Sequence, residues 1–84
     1  MHISVVLPCR NEEDAIGFCI KEIHDVLLGQ RYEIIVADSS RDSSKEIACS
    51  LGAKVVSCEK GYGNAYRAGL REVRGDYIVM ADAD

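Results

Sequence analysis

The chain has 84 residues, which bounds it to one domain. At this size only about 60% of the surface exposed by the unfolded chain is buried on folding, too little for a deep two-domain active site. Hydrophobic residues make up 48% and charged residues 29%, a globular balance that argues against a disordered tail, a coiled coil or a collagenous repeat. Ten Lys and Arg against fourteen Asp and Glu leave a net charge of −4, with no basic excess to neutralise phosphates, so no nucleic-acid partner is expected.

From the amino terminus, Ile3 to Leu7 is a short β-branched run closed by Pro8, which donates nothing to a ladder and suits a strand end. It is also too short for a signal peptide or a membrane span. Asn11-Glu12-Glu13-Asp14 then offers a capping residue and acids suited to the positive end of a helix dipole. Ile16, Cys19, Ile20, Ile23 and Leu27 recur at helical spacing, which predicts a helix with one buried face, ending near Gly29. Tyr32 to Ala37 is apolar apart from Glu33, the pattern of a strand covered on both faces, and it finishes on Asp38. Asp42 and Ser43 cap a second helix carrying Ile47, Ala48 and Leu51 and stopped by Gly52; Lys54 to Ser57 is a brief third strand. Gly61-Tyr62-Gly63 opens a third helix with Ala65, Gly69, Leu70 and Val73 on one side. Gly75 ends it, and Asp76 to Ala81 is the fourth strand.

Strands and helices therefore alternate, with links long enough for crossovers, and the fold class is α/β: a Rossmann-like parallel sheet with helices on both faces. Right-handed crossovers place every strand's carboxyl end on one edge, where ligands of such sheets bind. That edge receives Pro8 to Glu12, Asp38 to Asp42, Glu59 to Asn64 and Asp82-Ala83-Asp84. No repeat, low-complexity stretch or internal boundary divides the 84 residues.

Cys9, Cys19, Cys49 and Cys58 include no C-x-x-C pair and have no His cluster nearby, which gives a zinc site little support. Each lies in or beside an apolar run, where an unbridged cysteine packs as a small hydrophobe. Reduced core cysteines are expected, in keeping with a cytoplasmic compartment. His2 and His24 fall at the bottom of the first strand and on the first helix, and neither is assigned a catalytic role.

At the carboxyl edge, Asp82-x-Asp84 supplies two hard oxygen ligands of the kind that bind Mg2+ or Mn2+ together with substrate phosphates. Taken alone, the same pair also reads as a strand ending in solvent. A carboxylate at Asp38 would accept hydrogen bonds from a nucleobase imide or a ribose hydroxyl, or would form an Asx turn with the serines after it. Gly61 and Gly63 bring backbone and helix N–H groups to the edge, where a phosphate could use them. They follow the third strand and lack the third glycine, unlike a dinucleotide fingerprint. Arg67, one turn into that helix, would reach a diphosphate or stand in solvent as an exposed basic side chain.

Four segments in order, V-V-L-P-C-R-N-E-E, E-I-I-V-A-D-S-S-R-D-S-S, G-Y-G-N-A-Y-R-A-G-L and G-D-Y-I-V-M-A-D-A-D, resemble the amino-terminal half of family 2 glycosyltransferases of the GT-A fold. Within that family the likeness is to the synthases of polyprenyl-phosphate and dolichol-phosphate sugars, and it covers essentially the whole chain. The resemblance implies that Pro8, Arg10, Asn11 and Glu12 border the nucleoside, with Glu12 at the ribose, and that Asp38 recognises the base. It further implies that Gly61, Gly63 and Arg67 line the diphosphate and that Asp82 and Asp84 hold Mn2+ or Mg2+ at the catalytic centre, with Asp84 the direct ligand. Two departures bear on the choice of nucleotide: Ala37 stands where many relatives carry the first of two adjacent Asp residues, and Arg10 where an aromatic is frequent.

The implied reaction is inverting transfer of a sugar from a nucleoside-diphosphate sugar, with a polyprenyl phosphate as candidate acceptor. Residues 1–84 would form the nucleotide-sugar-binding half of a longer transferase domain, inactive alone, at the cytoplasmic face of a membrane reached only through segments outside this sequence. Two other readings stand beside it. One is a noncatalytic nucleotide- or partner-binding module. The other is a sugar nucleotidyltransferase, whose glycine-rich loop after the first strand is missing from Pro8-Cys9-Arg10-Asn11-Glu12.

Overall fold

The structure, a computed structural model, describes residues 2–81. The elements run β1 (His2–Cys9), α1 (Ile16–Val26), β2 (Arg31–Asp38), α2 (Ser44–Ser50), β3 (Lys54–Ser57), α3 (Tyr62–Leu70) and β4 (Tyr77–Met80). Among the described residues the sheet has the order β3-β2-β1-β4, and every pair is parallel. The α/β class and the order of the seven elements are as the sequence predicts, but α3 stops at Leu70, short of Val73 and five residues before Gly75.

Strand parity divides the layers. Leu7 and Cys9 of β1 join Ile34 and Val36 of β2, Ile16 and Ile20 of α1 and Ala48 of α2 in one buried cluster. The opposite face carries Val6, register partner of Ile35. There α3 packs so closely that a Cβ at Gly69 would fall on the Val6 side chain. Chain order turns at β1: the first crossovers step away from it through β2 to β3, and α3 then carries the chain back across the sheet to β4 on its other side. This reversal of strand order sits between β1 and β4, the place where open α/β sheets form their ligand crevice.

Pro8 lies inside β1 rather than beyond it. The carbonyls of His2 and Val6 accept from Asp76 N–H at 2.7 Å and Ala81 N–H at 3.0 Å, so these alternate residues face β4. Pro8 shares that parity, and its missing N–H coincides with the end of the β1–β4 ladder among the described residues, which stops at Val6 and Met80.

Some expectations need correction. Asn11 does not cap α1, which begins at Ile16 without a side-chain cap, because the Asn11 side chain is used elsewhere. Asp42, not Ser43, receives the Ser44 N–H at 2.9 Å at the start of α2. Only Cys9 is a buried core cysteine; Cys49 is exposed on α2, and Cys19 and Cys58 are half-buried, with no disulfide among the four. Leu70 is exposed, and every residue of β4 is at least 47% exposed. The helical cover expected for the whole sheet therefore stops short of β4, whose only strand neighbour among the described residues is β1.

At the amino edge Ser4 is fully buried. Its hydroxyl donates to Glu33 Oε2 and accepts the Gly75 N–H at 2.8 Å, while Glu33 Oε2 also takes the Arg74 N–H at 2.7 Å. Burial pushes the Glu33 carboxyl up, but these hydrogen bonds, with His2 and Lys54 nearby, outweigh it and hold it below the ordinary carboxylate value. A Cβ at Gly75 would strike Ser4 Oγ and the His2 carbonyl, so only glycine lets the chain enter β4 this close to β1.

Candidate functional site

At the opposite edge, Asp38 closes β2 as the register partner of both Cys9 and Ser57. Its backbone is tied on both sides: Ser39 N–H donates to Cys9 O at 3.0 Å, and Cys58 N–H donates to Asp38 O at 2.9 Å. The residue is 5% exposed, and its Oδ1 is buried without a hydrogen-bond partner among the described residues. Buried carboxylate oxygens are ordinarily satisfied, because leaving one unpaired costs about 1–3 kcal/mol or more. Two thiols sense the group. Burial, aided by the negative charge of Asp38, pushes the Cys9 thiol up against the pull of hydrogen bonds from Ser40 and Ser44, and the same two causes raise Cys58.

Above Asp38 the β1–α1 and β2–α2 loops are bonded to each other. Three successive N–H groups, of Asn11, Glu12 and Glu13, donate to Ser40 Oγ at 2.8 Å, Ser44 Oγ at 2.9 Å and Asp42 Oδ2 at 3.2 Å. In return Arg41 N–H donates to Asn11 Oδ1 at 2.8 Å and Ser43 N–H to Glu13 Oε2 at 3.1 Å. Asn11 has φ 53°, a left-handed conformation that asparagine tolerates better than most residues. Asp42 Oδ1 also takes the Ser44 hydroxyl at 2.6 Å. That bond leads the contributions holding the Asp42 carboxyl below its ordinary value.

Arg10 is exposed and donates through Nη1 to Ser39 O at 3.2 Å, which holds its guanidinium at the mouth. Gly61, with φ 124°, turns the chain into α3, whose first N–H groups face the same edge. Gly63 lies in open space, and Arg67 is exposed one turn further on. Ala81 N–H, bonded to Val6 O, brings the chain to this edge beside Pro8. Asp82 and Asp84 lie outside the described residues. The structure thus brings Pro8, Arg10, Asn11, Glu12 and Asp38 into one corner and puts Gly61 and Gly63 on the same edge. It gives Ser40 and Asp42, which the sequence puts on this edge without a role toward the first loop, partners across the two loops, and it adds Ser44. Their signal was the S-S-R-D-S-S run, whose polar side chains find partners only once β1 and β2 are known to be neighbours.

A parallel α/β sheet whose carboxyl edge gathers a buried, unsatisfied carboxylate on β2 beneath two cross-bonded loops has the layout of a nucleotide-binding α/β protein. Residues 4–84 match the family described as Glycosyl transferase family 2, and the chain belongs to that family and has the GT-A fold. It is 47% identical over 98% of its length to the low-salt glycan biosynthesis hexosyltransferase Agl6 of Haloferax volcanii, covering 21% of that protein. It is 32% identical over 100% of its length to the dolichol-phosphate mannosyltransferase of Pyrococcus furiosus, covering 26% of it. The crystal structure of glucosyl-3-phosphoglycerate synthase from Mycobacterium tuberculosis with Mn2+, UDP and glucosyl-3-phosphoglycerate superposes with a TM-score of 0.86 at 38% identity, over 99% of this chain and 33% of that one. The chain therefore spans a fifth to a third of the length of these relatives.

Proposed function

We propose that residues 1–84 are the donor-binding half of the catalytic domain of a transferase that moves a sugar, with inversion, from a nucleoside-diphosphate sugar to a phosphorylated acceptor. The observation that carries this reading is Asp38 Oδ1, buried at the carboxyl edge of the sheet with no hydrogen-bond partner among the described residues. An acceptor oxygen in that state fits a ligand N–H such as a nucleobase imide, and Arg10 and Glu12 stand beside it for the rest of the nucleoside. Gly61, Gly63 and Arg67 would line the diphosphate.

The metal fits the chemistry of the donor set. Asp82 and Asp84 are hard carboxylate ligands that follow Ala81 in the sequence, and the Ala81 N–H is bonded to Val6 O of β1 just past β4. When bound, Mn2+ or Mg2+ would offset charge gathering on the departing diphosphate. The relative crystallised with Mn2+ and UDP supports manganese and uridine as first probes.

For the acceptor, a polyprenyl phosphate is favoured by the dolichol-phosphate mannosyltransferase relative. Its phosphate oxygen is already ionised near neutral pH and needs no strong general base. A second reading, transfer to a small phosphorylated hydroxy acid, is favoured by the likeness to the phosphoglycerate-glucosylating enzyme; that hydroxyl would require a base. The compartment that suits either acceptor is the cytoplasm, at the membrane face if the acceptor is a lipid. No helix among the described residues is long and apolar enough to cross a membrane.

The test is titration of the full-length protein with UDP and GDP, with and without Mn2+, followed by transfer assays on polyprenyl phosphate and on 3-phosphoglycerate. Metal-dependent binding is expected, with Asp84→Ala abolishing transfer while leaving the fold intact. A full-length protein that binds neither nucleotide refutes the reading; one that binds and transfers to nothing is the noncatalytic module.

A further inference from the structure

We propose that Ser40 is a positioning residue for donor binding, acting by clasping the β1–α1 loop to the β2–α2 loop so that Arg10, Glu12 and Asp38 are set before the nucleotide arrives. The proposal rests on the donor-binding reading above and goes beyond it. It gives work to side chains that touch no substrate, and it assigns the Asn11 backbone N–H and amide oxygen to the clasp. The Asn11 amide oxygen is occupied by Arg41 N–H and its own N–H by Ser40 Oγ. The N–H groups of Glu12 and Glu13 are likewise taken, by Ser44 and Asp42. None of these three backbone donors is left to face a phosphate, so the contribution of this loop to binding is placement, with the diphosphate held elsewhere on the edge.

Ser40 occupies the point where this matters. It follows Asp38 by two residues, stands 3.8 Å through Oγ from the buried Cys9 sulfur, and receives the N–H of Asn11, the one non-glycine residue with positive φ among the described residues. Bonds running both ways between the loops hold each by the other. Release of one rung lets residues 10–12 sample other conformations, whose ordering must then be met at binding.

The experiment uses full-length protein with Ser40→Ala and Ser40→Thr, titrated with UDP and GDP in the presence of Mn2+. Amide hydrogen exchange is measured without nucleotide. Ser40→Ala should weaken binding roughly five- to tenfold and speed exchange at Asn11 and Arg41, while the melting temperature without nucleotide stays close to wild type. Ser40→Thr, which keeps the hydroxyl, should restore both. Should Ser40→Ala fail to fold, Asn11→Gly keeps the positive φ, removes the acceptor for Arg41 N–H and should show the same loss. Affinity equal to wild type in the Ala variant, or equal loss in Ala and Thr, overturns the positioning role alone. Wild-type protein that binds neither nucleotide overturns the donor reading and the positioning role with it.

Discussion

Removing the Asp38 carboxylate should move stability and affinity in opposite directions. In the free protein Oδ1 is buried with no partner among the described residues, a state that costs about 1–3 kcal/mol or more for a charged group. Asp38→Ala deletes that cost and loses little packing, since the truncated atoms are mainly the carboxyl itself. The ligand-free variant should therefore be as stable as wild type, or more stable by about 1 kcal/mol. In the complex the same carboxylate would accept one charge-assisted hydrogen bond, worth about 1.5–3 kcal/mol, which is roughly a 10- to 150-fold change in Kd. Asp38→Asn, which keeps an acceptor oxygen without the charge, should fall between. Urea denaturation and calorimetric titration with UDP and GDP in Mn2+ on full-length protein measure both quantities. A variant destabilised by more than about 2 kcal/mol with unchanged nucleotide affinity would return Asp38 to an Asx-turn role and refute the reasoning.

Four further outcomes are expected. Gly69→Ala drives a Cβ into Val6 and should destabilise by about 1–3 kcal/mol in urea; an unchanged midpoint would mean α3 stands further off the sheet. Ser4→Ala strips a partner from both Glu33 and the Gly75 N–H and should destabilise by about 1–3 kcal/mol, an effect lost if β4 pairs with β1 without that staple. The Glu33 carboxyl is held below its ordinary value of 4.5, so its stabilisation is complete above that pH and fades as pH falls through the lower folded-state value. Glu33→Gln should flatten the stability profile below about pH 4.5 and leave the neutral limb's slope unaltered. In a timed alkylation at neutral pH, read by peptide mass spectrometry, Cys49 should react before Cys9, which is buried with its thiolate disfavoured; early loss of Cys9 would contradict the packed β1–α1 corner.

The sheet was legible in the sequence because each strand is a compact apolar run ending in polar residues, and each helix shows its period between a capping stretch and a glycine. Gly29 and Gly52 do adopt positive φ just past α1 and α2. Asp38 was legible as the last residue of an apolar strand, a position where a carboxylate must find a partner. The clasp was not. Asn11, Ser40 and Ser44 are ordinary loop residues by type, and local rules assign them to caps and turns. Their actual partners lie about thirty residues away, across an adjacency that only strand order reveals. The openness of β4 was likewise hidden, because Tyr77-Ile78-Val79-Met80 has the composition of a covered strand whether or not anything lies upon it.

Strand order also sets a timetable for synthesis. β1 emerges first yet occupies an inner position, so its two flanks are completed at different moments: β2 meets it once Asp38 has left the ribosome, whereas β4 follows only after Met80. At roughly 5–20 residues per second that leaves several seconds during which the β4-facing edge of β1 and the Val6 surface awaiting Gly69 are bare. A nascent chain in that interval offers chaperones a defined half-sheet, and slow codons between residues 40 and 80 would lengthen its exposure.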